Sequence, residues 1–353
     1  MKVEVLVIGG GLSGLSLANR LEHESKKYFL VEARARLGGR IFTQNMGGVE
    51  LDLGPAWYWP GQPRLEQLVK QLNLDSFDQY SFGDIMYESE DGDISRGLGI
   101  ASMQGSLRIS GGFGLLIKRL AETLESQNYW TDAKLLSLKK TTAGVVATIQ
   151  RANKMEIVTA SKVVLSLPPR LVQEQILFEP NLSETELYSM QAIPTWMAGH
   201  AKIVAVFDKP YWRENGMSGD AMSRRGPMVE VHDASPKSGG PYALFGFVGF
   251  PIDVRLKLRD DILTLAKQQL VNLFGDSLSN PVSLHIMDWA QEPLTSTIAD
   301  HTPPRSHPTY GLPFNLKQLW KGDLVLGSTE VASRFGGFLE GAIEAAEMTY
   351  DKI

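Results

Sequence analysis

Val3-Glu4-Val5-Leu6-Val7-Ile8-Gly9-Gly10-Gly11-Leu12-Ser13-Gly14-Leu15 decides the fold of this chain. Val3 to Ile8 is a short apolar run of the length of a buried parallel strand. Gly9, Gly11 and Gly14 follow in GxGxxG spacing, and Leu15, Ala18 and Leu21 continue as an apolar helical stripe. At such a strand-to-helix turn the first glycine permits the tight bend. The second lets the main chain approach a pyrophosphate, and the third lets helix pack on strand. The helix N-terminus offers unpaired N–H groups and positive dipole to phosphates. Tyr28 to Val31 reads as a second strand ending at Glu32, whose carboxylate can accept both ribose hydroxyl protons and disfavours a 2′-phosphate. A second glycine signature, Gly38-Gly39-Arg40, closes this acidic strand end. The register predicts a dinucleotide site, with FAD as the expected ligand.

Composition narrows the partners. A net charge of −5 gives no global basic field for nucleic acid, so the cluster Arg34, Arg36 and Arg40 is assigned to pyrophosphate. The absence of cysteine excludes disulfides, thiolate catalysis and a cysteinyl cofactor tether, and it fits a reducing, cytoplasmic setting. The first apolar run is too short to span a bilayer, and neither signal peptide nor membrane anchor is read. The six histidines show no metal-ligand spacing; His301 and His307 are expected at the surface of a proline-rich loop.

Further along, Val49 to Leu53 reads as a strand and Leu65, Leu68, Val69 and Leu72 as a helical stripe. Leu115, Leu116, Leu120 and Leu124 form another. Leu135 to Ile149 and Val158 to Leu167 read as strands, the latter closed by Pro168-Pro169. Ala201 to Phe207, Met228 to Val231, Tyr242 to Phe250 and Val282 to Trp289 are strand-like, with a helical run at Ile262 to Phe274. These predict a second, mostly antiparallel sheet. The fold class is therefore α/β: a Rossmann-like FAD-binding domain on a discontinuous chain, plus a smaller α+β substrate domain. The expected division is 1–77, 105–190 and 290–353 for the first domain, and 78–104 and 191–289 for the second.

Across most of its length the chain resembles the flavin amine oxidase family, which includes monoamine, polyamine and L-amino-acid oxidases. GGGLSGL, VEARARLGGRI, LDLGPAW and the C-terminal LVLGSTEVASRFGGFLEGAIEAAE carry the resemblance. VVLSLPPRLV, the Lys202 strand with Tyr211-Trp212, and Asp288-Trp289 add to it. The resemblance implies that Gly9, Gly11, Leu12, Ser13 and Gly14 hold the pyrophosphate and Glu32 the adenosine ribose. It sets Arg34, Gly38, Gly39 and Arg40 near ribose and phosphate, and Leu135 at adenine. Gly54, Pro55, Ala56, Trp57 and Trp289 would approach the isoalloxazine. Ser328, Glu330, Gly337, Phe338 and Ala342 would line the flavin from the C-terminal side. Lys202 is the implied catalytic residue, holding a water against the flavin, with Phe338 orienting the substrate. A strand lysine pointing to solvent is the alternative reading of Lys202, and core packing that of Trp57 and Trp289.

Three departures from the family pattern matter. Ile298 stands where monoamine oxidases carry their tethering cysteine, so the flavin is expected to be non-covalent. Ala299 and Phe338 stand where that branch has two substrate-flanking tyrosines. Only 75–110 is available for the helical segment that roofs larger members, so the site is expected to be open or covered by a partner subunit, such as a second copy. Arg224 and Arg225 could grip a substrate carboxylate but read better as a solvated turn. The implied reaction takes hydride from the carbon of an amine, small or carrier-attached, with O2 as acceptor. A desaturase, a porphyrinogen- or renalase-like oxidase, and a flavin-binding subunit active only with a partner remain alternatives.

Overall fold

A computed structural model describes every residue except 100 and 260. Two large sheets organise it. The first has eight strands, in the order Leu177–Glu179, Ala133–Thr141, Gly144–Arg151, Lys154–Leu165, Lys2–Ile8, Tyr28–Val31 and Tyr129–Trp130, with Leu324–Leu326 also pairing with Lys154–Leu165. Lys2–Ile8 runs parallel to both Tyr28–Val31 and Lys154–Leu165. Leu6, Val7, Leu30, Val163 and Leu165 are completely buried, as expected when helices or strands cover both faces of a parallel sheet. The helix Leu12–His23 buries Leu15, Ala18 and Leu21. The Ser13 hydroxyl donates to the Gly327 carbonyl, which fastens this helix to the last strand of the sheet.

The segment read as one strand from Leu135 to Ile149 is a hairpin, Ala133–Thr141 and Gly144–Arg151. Gly144, at φ +119, allows the reversal; a Cβ there would lie 2.4 Å from the Ala160 carbonyl oxygen.

The second sheet runs Ser283–Asp288, Ala201–Phe207, Tyr242–Val248, Met228–Asp233, Met217–Ser223, Asp84–Glu88 and Ile94–Gly97. Its pairs are antiparallel except for Met217–Ser223 with Asp84–Glu88. Met217–Ser223 is not legible from its composition, because Met-Ser-Gly-Asp-Ala-Met-Ser has little strand propensity; neighbouring strands impose the conformation. Alternation divides the faces. Ile203, Ala205 and Phe207 pack with Ile262, Leu270 and Phe274 of the helix Asp261–Phe274. Val204 and Val206 pack with Leu51, Leu53 and Ala56. Lys202 shares this second face, and every residue of its strand is buried. Among the described residues no helix is long and apolar enough to cross a membrane.

Candidate active site

Four parallel strands end at one crevice. Ile8 leads to Gly9, Val31 to Glu32, Leu165 to Ser166, and Leu326 through Gly327 to Ser328; Gly9, Glu32, Ser166 and Ser328 all line a cavity of about 620 Å³. The carboxyl ends of parallel strands are where open α/β sheets bind ligands.

The glycines divide their tasks sterically. A Cβ on Gly14 would stand 1.9 Å from the Gly9 carbonyl oxygen, so helix and strand touch only because that side chain is absent. Gly9, at φ +106, makes the bend. Gly11 has nothing within 4 Å of its would-be Cβ and faces open space. No side chain caps the helix that follows, which leaves its first N–H groups at the cavity for an anion.

The main chain fixes Glu32 in place. Its Oε2 accepts from the Gly10 N–H at 2.7 Å and its Oε1 from the Arg34 N–H at 2.8 Å. Each oxygen keeps a further lone pair. Arg40 lies 2.7 Å from Glu330, which is wholly buried. Burial alone would lower the Arg40 pKa, but Glu330 beside it carries it above the ordinary value. The contact is an ion pair, and among the described residues neither Glu330 oxygen accepts an aligned hydrogen bond. The hydroxyls of Ser166 and Ser328 are likewise buried without a partner among the described residues. The unpartnered Ser166 and Ser328 hydroxyls that line the cavity, the open floor at Gly11 and the uncapped helix fit a flavin dinucleotide.

The arginine cluster is split. Arg34 lines the cavity but donates to Thr295 Oγ1 at 2.7 Å and pairs with Glu292 at 3.3 Å. Arg36 does not reach the cavity. It donates to the carbonyls of Leu37, Gly39 and Ile41 and stacks on Phe42, so it braces the glycine loop from behind. A flexible side chain beside three unsatisfied loop carbonyls finds those acceptors first.

Of the expected site residues, Gly9, Gly11, Leu12, Ser13, Glu32, Arg34, Gly38, Gly39, Arg40, Gly54, Pro55, Ala56, Trp57, Leu135, Lys202, Trp289, Ser328, Gly337, Phe338 and Ala342 line this one cavity. Gly14 and Glu330 stand behind it, one as a packing contact and the other as the counter-ion of Arg40.

Lys202 does not point to solvent. It is 3% exposed, and its Nζ donates to the carbonyls of Asp52 and Gly54, each at 2.9 Å. The Phe245 ring lies 3.9 Å away. Burial pushes its pKa down to about 7, with Asp52 opposing and Arg108 assisting. An ammonium has three donors, and two are used. Trp57 and Trp289 both line the cavity and both anchor to protein, through Gln79 Oε1 at 2.8 Å and the Leu53 carbonyl at 3.1 Å.

The structure does not bring Ile298 or Ala299 to the cavity. Thr297 and Asp300 form a capping box that turns this segment, and Asp300 points inward to Arg170 at 2.5 Å and to the Thr195 N–H. Ile298 is left 82% exposed. Trp196 lines the cavity instead, against Gly337, where a Cβ would lie 3.0 Å from the Trp196 Cβ. His307 is exposed as expected, yet it also stacks on Phe338 at 4.6 Å and meets Trp196 edge-on at 4.9 Å. Arg224 pairs with Glu90 at the surface and Arg225 donates to the Asp91 carbonyl; neither lines the cavity.

The cavity reaches solvent at Val229, which is 43% exposed, and beside it Glu230 lines the wall. Trp196, Glu230 and His232 were not legible as site residues. A lone Trp and an alternating Glu-Val-His in a strand carry no motif.

Residues 77–349 match the sequence model described as flavin containing amine oxidoreductase. The chain belongs to the flavin-containing amine oxidoreductase family. Residues 7–72 also match an NAD(P)-binding Rossmann-like domain. The flavin-containing amine oxidase A of Bos taurus is 21% identical over 456 aligned positions, covering 98% of this chain and 83% of that one. Those positions outnumber the 353 residues here, so stretches of the bovine enzyme have no counterpart in this short member of the family. Putrescine oxidase of Kocuria rosea is 35% identical over 89 residues, a quarter of the chain. A putrescine oxidase structure bound to putrescine superposes with TM-score 0.83 at 19% identity, covering 99% of this chain and 98% of that one. Cyclohexylamine oxidase from Brevibacterium oxydans superposes with TM-score 0.80 at 17% identity, with the same coverage. This amine oxidoreductase is thus a flavin-dependent enzyme with the fold of the amine oxidases.

Proposed function

We propose that this enzyme binds FAD non-covalently and oxidises an amine at the carbon bearing nitrogen, with O2 as acceptor, to give an imine and hydrogen peroxide. When bound, the flavin supplies the hydride acceptor. The observation that carries the reading is Lys202, a lysine wholly buried in the cavity and held by two main-chain carbonyls. A charge-bearing group kept out of water needs a task that offsets its desolvation. With a pKa of about 7 it serves as ammonium or neutral amine near neutral pH, and its remaining donor can hold a cavity water.

The other residues bind and orient. Glu32 takes the ribose, the Gly11–Gly14 turn the pyrophosphate, and Arg40, kept charged by Glu330, adds fixed positive charge. Phe338 and Trp196 form apolar walls, and Trp57 and Phe247 exclude water from the bound amine. In this reading 1–77, 105–190 and 290–353 form the FAD domain, and 78–104 and 191–289 the substrate domain.

The test is the visible spectrum of the purified protein under anaerobic conditions while amines, amino acids and NAD(P)H are added in turn. Bleaching by one amine class, with recovery and peroxide on admitting air, is the expected result. A flavin that only NAD(P)H bleaches would overturn the reading.

A further inference from the structure

Three adjacent strands of the second sheet place Lys202, Phe247 and Glu230 in one row. Phe247 is the register partner of Lys202 on one side and of Glu230 on the other. Strands lie about 4.8 Å apart, which sets the Cα atoms of Lys202 and Glu230 about 10 Å from each other. Partnered residues share a face, so all three side chains belong to the cavity face, and all three line the cavity.

Glu230 reaches that face through a local defect. Met228 pairs with Val248, but Glu230 pairs with Phe247, so the register shifts by one at Val229. Met228 accordingly packs with the helix-side core, whereas Glu230, two residues on, faces the cavity. Regular alternation would put both on the same side. Bulges re-aim single side chains in this way.

Behind Glu230 stands a buried dyad. His232 Nδ1 lies 2.7 Å from Asp220 Oδ1, and its Nε2 lies 3.1 Å from Glu230 Oε1. Burial pulls the imidazole down, yet the two carboxylates carry its pKa above the ordinary value. His232 beside it holds Glu230 below the usual carboxylate range, with Ser102 assisting and burial opposing. Two carboxylates face a single imidazole, so the cluster is anionic whether or not His232 carries its second proton. Ser102 donates to Oε1 at 2.5 Å, and Oε2 accepts no hydrogen bond among the described residues.

We propose that Glu230, aimed by the bulge at Val229 and braced by His232 and Asp220, is an anionic subsite for a second, distal cationic group of the substrate. The preferred donors are then diamines or amines with a remote ammonium. The reacting nitrogen sits toward Lys202 and the distal charge on Glu230 Oε2, with Phe247 under the chain between them. This assignment rests on the amine-oxidation reading.

The experiment compares kcat/KM of the flavin-loaded protein for α,ω-diamines and n-alkylamines of equal length. Diamines are expected to be preferred by about tenfold or more, Glu230→Gln to abolish the preference, and Glu230→Lys to shift it toward ω-amino acids. Retention of the flavin spectrum shows that each variant is folded. Equal kcat/KM for the two series, or a preference unchanged in Glu230→Gln, would overturn the subsite. If neither series bleaches the flavin, amine oxidation itself has failed, and calorimetry still decides the subsite without turnover. A bis(trimethylammonio)alkane should then bind more tightly than its mono-quaternary analogue, and lose that advantage in Glu230→Gln; equal binding would refute the proposal.

Discussion

Lys202 Nζ donates to the Gly54 carbonyl at 2.9 Å, tying a strand of the second sheet to the loop that lines the middle of the cavity. The bond fixes one cation against main chain where burial, not a neighbouring charge, dominates its titration.

Replacing that cation should slow the oxygen-dependent half of the reaction. Lys202→Met is expected to lower the rate with O2 by roughly a hundredfold. In the native enzyme that rate should fall as pH rises through about 7, where the ammonium is lost. Stopped-flow traces across pH test this; identical pH profiles for the two proteins would refute the assignment.

The same group makes stability depend on pH. An unfolded lysine titrates near 10.5, the folded one at about 7. Between these values the unfolded chain holds a proton that the folded one has released, so stability from this group increases with rising pH. The gain across the window is on the order of a few kcal/mol. Denaturant midpoints of the apoprotein should therefore climb relative to Lys202→Met as pH moves from 7 toward 10. Parallel curves would contradict this.

Two glycines of the Gly9–Gly14 turn should fail in different ways. Gly14→Ala forces a methyl group within 1.9 Å of the Gly9 oxygen and is expected to destabilise the fold by about 1–3 kcal/mol or more. Gly11→Ala meets open space at φ −72 and should fold normally, yet obstruct the cofactor. Thermal melts paired with FAD titration separate the outcomes. A Gly11→Ala protein that binds FAD like the native one would count against the pyrophosphate assignment.

Glu32→Gln is expected to weaken FAD binding by roughly tenfold to a hundredfold, since a charged acceptor held by two N–H groups becomes a neutral one. Fluorescence titration of the apoprotein measures it, and unchanged affinity would remove Glu32 from the ribose.

Arg40→Ala leaves Glu330 wholly buried without its counter-ion. A loss of about 3–5 kcal/mol is expected, or neutralisation of the carboxyl. Arg40→Ala with Glu330→Gln should recover part of it, which a double-mutant cycle would show.

The end of the cavity at the Gly9–Gly14 turn was legible in the sequence because its structure is local. Gly9 to Gly14 and Glu32 to Arg40 act through main-chain conformation, close packing and short-range hydrogen bonds, and residues adjacent in the chain stay adjacent in space. Even there Arg36 was assigned wrongly, because side-chain reach decides between a ligand and three loop carbonyls. The apolar run from Ala201 to Phe207 also sufficed to place Lys202 in a strand, while whether its side chain faced solvent was left to the fold.

The cavity wall formed by the second sheet was decided by tertiary structure alone. Trp196 lines the cavity although no motif marked it, and a capping box at Thr297 turns the segment of Ile298 and Ala299 away from it. Glu230 enters the cavity through a one-residue register shift, and Asp220 meets His232 from a strand with no strand-like composition. By itself the sequence determined the Gly9–Gly14 turn, the acid at the end of the second strand and the strand that carries Lys202, because backbone sterics and periodicity are encoded residue by residue. Which side chains of the second sheet face the cavity depended on strand pairing between distant segments. There a single inserted residue reverses the face, and no local pattern reports it.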